Sequence, residues 1–178
     1  MNTNLLEPDR YELDKLLKHY QDSEFVEAEK LALAITKKFP NHSFSWKVLG
    51  SIYEKTEKKS KALIAKQKAI EINPKDAEAY CNLGNTFNDL ARYNEAEESF
   101  REAIKLKPDF AEAFNNLGNT LRILGKEIEA EICYRKAISL KDNFAEAYNN
   151  LAKILHDLGK LEEAQENYRK GRREGLCS

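Results

Sequence analysis

Apolar residues recur along this chain with a helical period, and the helical pattern itself recurs. Within Ala77–Ala91, the residues Tyr80, Leu83, Gly84, Phe87 and Leu90 fall at i, i+3, i+4, i+7 and i+10, the spacing that lines one face of an α-helix. A break at Arg92, Tyr93 and Asn94 comes next, and Ala96, Phe100, Ala103, Ile104 and Leu106 then resume the stripe as far as Pro108. Proline lacks an N–H to donate and crowds the preceding turn, so it ends the second helix. The pair of stripes returns every 34 residues: Ala28, Ala62, Ala96, Ala130 and Ala164 keep that spacing, as do Pro40, Pro74 and Pro108, with Asp142 in the next proline slot. Leu49, Leu83, Leu117 and Leu151 share the same period, each preceded three residues earlier by Trp46, Tyr80, Phe114 or Tyr148. Gly50, Gly84, Gly118 and Ala152 come directly after those leucines. Such small residues let two helix backbones approach, while the aromatic and the leucine fill the volume between them.

The order aromatic, Leu-Gly, aromatic, Ala, aromatic, Pro resembles the tetratricopeptide repeat. The resemblance is strongest over Ala77–Phe110, close over Ala111–Phe144 and good over Ala145–Gly171. Ser43–Asp76 keeps Trp46, Leu49, Gly50, Tyr53, Ala62, Ala69 and Pro74 but has Lys66 where an aromatic is expected. The stretch Asp9–His42 retains Ala28 and Pro40, and offers Leu13, Leu16, Leu17 and Tyr20 in place of the Leu-Gly pair. The resemblance implies an all-α fold, a right-handed superhelical solenoid of helix–turn–helix units. It would be one array over 1–178, with a degenerate capping repeat at 9–42 and repeats at 43–76, 77–110, 111–144 and 145–178. In this family the first helix of each unit lines a concave face.

On the side of the first helices opposite the Leu-Gly stripe, asparagines accumulate: Asn82, Asn85 and Asn88, then Asn115, Asn116 and Asn119, then Asn149 and Asn150, with Cys81, Arg122, Lys153 and His156 in the same phase. Asparagine is a mediocre helix former, so its abundance there has no folding benefit of its own. A side-chain amide both donates and accepts, and a column of amides can hold the main chain of an extended peptide. Asn82, Asn116 and Asn150, each just before a repeated leucine, resemble the asparagine ladder of the O-linked N-acetylglucosamine transferase superhelix and of importin-like solenoids. Val48 stops the ladder in the second repeat. The alternative is that these amides bond neighbouring helices. The expected peptide-binding residues are Asn82, Asn85, Asn116, Asn119, Asn150 and Lys153. A carboxylate clamp for chaperone tails is not expected, because Glu112 or Glu146 stands where its third helix needs cations.

Composition narrows the classes further. Lys and Arg total 29 against 30 Asp and Glu, so the basic excess of a nucleic-acid binder is missing. With 33% charged residues and no run of eighteen apolar ones, no membrane span is expected, and MNTNLLEPDR does not read as a signal peptide. Three scattered cysteines, Cys81, Cys133 and Cys177, suggest reduced thiols and a cytoplasmic location. His19, His42 and His156 have no metal spacing, and no phosphate-loop or nucleophile motif occurs, so neither enzyme activity nor a cofactor is expected. Lys55, Lys58, Lys59, Lys61, Lys66 and Lys68 read as the solvated face of one hairpin.

These features point to a protein-interaction scaffold that binds an extended partner segment, without nucleic acid or membrane. The different-class alternatives are the substrate-presenting N-terminal region of a larger enzyme, such as a glycosyltransferase or sulfotransferase, and a self-assembling scaffold. Gly171 and Gly175 suggest a frayed last helix that leaves Tyr148, Leu151, Leu155 and Tyr168 as a sticky edge. A homodimer through the C-terminal repeat would result, with Cys177 able to add a disulfide under oxidation.

Overall fold

A computed structural model of the chain describes residues 7–175. Ten helices and no strand occur among them: α1 (Arg10–Gln21), α2 (Phe25–Lys38), α3 (Ser43–Lys55), α4 (Lys59–Ile72), α5 (Ala77–Asp89), α6 (Tyr93–Leu106), α7 (Ala111–Ile123), α8 (Glu127–Leu140), α9 (Ala145–Asp157) and α10 (Leu161–Gly175). They gather into two compact units, Met1–Leu90 and Ala91–Ser178. The all-α fold of helix–turn–helix units expected from the 34-residue period is the one observed. The break inside the third repeat comes earlier than the sequence suggests, since α5 stops at Asp89 and α6 already starts at Tyr93.

Each second helix stops where the period places its proline. The closing residues Phe39, Asn73 and Lys107, each preceding a proline, adopt ψ of 71°, 83° and 89°, outside the helical range. Lys141 does the same with ψ 92° before Asp142, so the position is held by packing as well as by proline.

The turn inside each repeat has its own period. Ser23, Glu57, Ala91, Gly125 and Gly159 lie 34 residues apart and all take positive φ, at 60°, 57°, 56°, 72° and 76°. The next residue folds back onto the helix: Lys58, Lys126 and Lys160 donate their N–H to the carbonyls of Tyr53, Leu121 and Leu155 at 2.8, 2.9 and 2.8 Å. This closes the helix end with a left-handed residue, for which glycine carries no Cβ penalty. Glu57 has that penalty and an exposed side chain. Glu57→Gly is therefore expected to stabilise the first unit by about 1 kcal/mol. A lower melting temperature for this variant would contradict the account.

In the first unit, Leu16, Ala28, Ile35, Leu49, Ile52 and Tyr53 form the core, with Leu13, Leu17, Tyr20 and Trp46 packed partly against it. In the second, Phe100, Leu117, Leu121, Tyr134, Ile154 and Leu155 are buried. Gly118 shows why the repeat needs a small residue there: a Cβ would lie 2.6 Å from Cε1 of the fully buried Tyr134 ring.

Two expectations are overturned. The last helix does not fray at Gly171, because α10 continues to Gly175 and Gly171 is buried against α9. Nor do the four residues expected there form an apolar edge: Leu151 and Leu155 are 2% and 0% exposed, and Tyr148 and Tyr168 are half-buried. Cys177 lies outside the described residues.

Acid–base pairs join successive repeats at a fixed offset. Lys58 reaches Glu29 at 2.6 Å, Lys126 reaches Glu97 at 2.7 Å and Lys160 reaches Glu131 at 2.9 Å. Arg101 and Arg135 add bonds to Glu129 and Glu163 at 2.7 and 2.8 Å. Burial pushes the Glu97 and Glu131 carboxyls up, but the paired cations outweigh it and hold both below the usual carboxylate range.

Candidate functional site

The front-helix asparagines occupy two settings, one in each unit. In the first unit, Asn82 and Asn85 lie on α5, exposed and half-buried respectively. Cys81, expected on the open face, is instead buried at 5% exposure. Its position in the repeat is also that of Asn115, which is 1% exposed, so this column is covered rather than open.

Behind Asn82 lies the largest departure from the sequence reading. Lys66 is not part of a solvated lysine face: it is 3% exposed and fills the slot that Phe100 and Tyr134 fill in later repeats. Its ammonium pairs with Glu54 and donates to the Asn82 carbonyl at 3.0 Å and the Thr86 hydroxyl at 2.9 Å. Thr86 in turn donates to Glu54 at 3.0 Å. Burial lowers the Lys66 pKa, and the opposing pull of Glu54 does not restore it. An unbranched four-carbon stem can take the aromatic's path beside Gly50, whose added Cβ would meet Lys66 Cγ at 2.8 Å. Lys47 on the neighbouring α3 is also committed, at 2.8 Å from Asp76.

In the second unit Asn116 and Asn119 lie on α7, and Asn150 and Lys153 on α9. Asn150 Nδ2 donates to Asn115 Oδ1 at 3.0 Å, and Asn115 Nδ2 donates to Glu146 at 2.9 Å and, more weakly, to Asn116 Oδ1 at 3.4 Å. Part of the asparagine column thus bonds helix to helix, as the alternative reading supposes. Asn119 Oδ1 accepts the Tyr134 hydroxyl at 2.8 Å. Burial pushes that phenol up to about 12.

The charges on this face divide unevenly. Two of its acids are engaged: Glu112 pairs with Lys141 at 2.9 Å and Glu146 accepts from Asn115, while the exposed Asp157 has His156 Nδ1 at 3.6 Å. Arg122 and Lys153, both exposed, make no ion pair among the described residues. The phase of Arg122 is readable from the sequence; that Glu112 and Glu146 are already bonded is not, because their partners sit 29 and 31 residues away in the chain.

Burial pushes the Cys133 thiol up to about 11, far from a reactive thiolate. No cluster of three or more His, Cys, Asp or Glu able to hold a metal occurs among the described residues. His19 is bonded to Glu24 at 2.5 Å and His42 to Ser45 at 2.7 Å. No helix among the described residues is long and apolar enough to cross a membrane.

No sequence among the curated proteins matches the chain at a significant level. Solved structures share its fold. A crystal structure of MamA superposes with a TM-score of 0.83 at 24% identity, over 89% of this chain and 93% of that one. MamA from Desulfovibrio magneticus RS-1 gives 0.85 at 14% identity, over 95% and 96%. Pseudomonas aeruginosa pilF gives 0.85 at 19% identity, over 92% and 75%. Family models of the tetratricopeptide repeat match residues 45–76, 77–110, 99–132 and 133–166, well over half of the sequence. The chain belongs to the tetratricopeptide repeat family.

Proposed function

We propose that this protein is a binding scaffold whose front-helix face on α7 and α9 holds an extended, acidic segment of a partner protein. The observation that carries the reading is the pairing pattern on that face: Glu112 and Glu146 are already bonded, Arg122 and Lys153 make no ion pair among the described residues, and the amides of Asn116, Asn119 and Asn150 are half-buried on the same two helices. Amides bond a peptide main chain whatever its sequence, and the two cations add a preference for carboxylates. Asn82 and Asn85 offer the same chemistry on α5. The likeness of Asn82, Asn116 and Asn150 to the ladder of the O-linked N-acetylglucosamine transferase superhelix supports main-chain recognition. Asn150 gives one amide N–H to Asn115 and keeps its carbonyl to offer.

A random-peptide array tests this. The natural protein is expected to retain peptides enriched in Asp and Glu, and Arg122→Glu with Lys153→Glu to lose that enrichment. Asn116→Ala should weaken all retained peptides by about 1 kcal/mol. Retention of the same peptides by every variant would sink the proposal, as would no retention by the natural protein.

A further inference from the structure

The outward face of α10 carries a charge pattern that is its own complement. Glu162, Glu166, Arg169 and Arg173 are spaced four, three and four residues apart, which places them in one stripe along the helix. All four are exposed. Glu162 and Arg173 lie at equal distances either side of the midpoint between Asn167 and Tyr168, and so do Glu166 and Arg169. Two flanking pairs obey the same centre: Glu163 with Arg172, and Gln165 with Lys170. Turned end over end, α10 therefore presents a base to Glu162, Glu163 and Glu166 of the original, while Glu174 falls opposite Leu161.

The stripe points outward whether or not another repeat packs beyond α10. The same positions on α8 are Ile128, Ile132, Arg135 and Ser139, which are exposed although a further repeat packs beyond that helix. They also show that the pattern is not part of the repeat. On α6 the positions read Asn94, Glu98, Arg101 and Lys105, and Arg101 is already bound to Glu97 and Glu129. The helix dipole favours Glu162 and Glu163 in the first turn and Arg172 and Arg173 in the last. It gives no reason for Glu166 and Arg169 to meet at the middle in the same sense.

We propose that two copies of this chain associate through α10, antiparallel about a two-fold axis that passes between Asn167 and Tyr168. The contact is isologous, so each acid–base pair is made twice. Glu162 meets Arg173 of the second copy and Glu166 meets Arg169. Arg169, Arg172 and Arg173 make no ion pair within the described chain, and Glu162 makes none either. Glu166 holds Lys170 at 2.7 Å and Glu163 holds Arg135 at 2.8 Å, bonds that exposed side chains can share or exchange. A helix of 15 residues is only about 22 Å long, so the interface is small and the association salt-sensitive.

The test uses the full chain in reductant. Sedimentation of the natural protein at high concentration and low ionic strength should show a dimer that dissociates near 1 M salt, where the screening length is about 3 Å. Glu162→Arg with Glu166→Arg makes the stripe wholly basic, and Arg169→Glu with Arg173→Glu makes it wholly acidic. Each variant alone should be monomeric. An equimolar mixture should form a heterodimer, detected by fluorescence anisotropy with a dye on one variant. Helicity measured beside each run confirms that α10 has formed. A natural protein that stays monomeric in low salt overturns the proposal. So does a dimer that survives in either single variant, or a mixture that fails to associate while both variants are folded.

Discussion

Glu54→Ala is expected to destabilise the protein by about 3 kcal/mol, whereas Lys66→Met leaves it equally stable or stabilises it by about 1 kcal/mol or more. The two members of one ion pair differ because only one can reach water. The Lys66 side chain is 4% exposed and that of Glu54 is 31% exposed. Removing Glu54 strands an ammonium among apolar neighbours, with only the Asn82 carbonyl and the Thr86 hydroxyl left to hold it. Removing the charge at Lys66 instead puts an apolar stem in the slot that Phe100 and Tyr134 occupy elsewhere, and Glu54 can turn to solvent. Thr86 keeps its bond to the Asn82 carbonyl at 3.0 Å. A pH series adds a second readout. Burial holds the folded Lys66 pKa below its ordinary 10.5, so the unfolded chain binds more protons between the two values. Stability conferred by this group therefore rises with pH through that window. Lys66→Met should remove the rise. Thermal melts of the three proteins that rank Lys66→Met below Glu54→Ala would refute the assignment.

Gly171→Ala is expected to cost about 1–3 kcal/mol although alanine is the better helix former. An added Cβ would stand 2.5 Å from Asn149 Oδ1 and 3.1 Å from the Ala145 carbonyl oxygen. The second of these is backbone, so α10 must move away from α9 to make room. Gly175→Ala serves as the control, because its Cβ would meet only the Ala145 methyl at an ordinary 3.9 Å. That variant should melt at or slightly above the natural temperature. If Gly171→Ala also melts higher, the glycine is not there for close approach.

The helix pairs are legible in the sequence because packing imposes the same requirement on every repeat, and a requirement met five times leaves a visible period. Residues that depart from the period are hard to read for the same reason. Lys66 groups with its lysine neighbours in the sequence because nothing local shows that Glu54, Asn82 and Thr86 converge on it. Gly171 reads as a helix breaker because the close approach to Asn149 involves another helix. The phase of Asn82, Asn116 and Asn150 is visible, but the Asn115–Asn150 bond that commits one of them spans 35 residues. Helical phase alone puts Cys81 on the open face, and the covering of that column can be seen only in the folded structure.

The regular offset of the inter-repeat bonds has a consequence for how such a chain can grow. Suppose the block 111–144 were copied in tandem. The new neighbour would present Lys126 to Glu131 where Lys160 now stands, and Glu129 to Arg135 where Glu163 now stands. It would offer Glu112 and Asn116 to Asn115 in place of Glu146 and Asn150. Every bond at the joint finds the same residue type it had before. A single duplication would then yield a longer working array at once, without compensating mutations, so the gene itself is poised to change length in whole repeats.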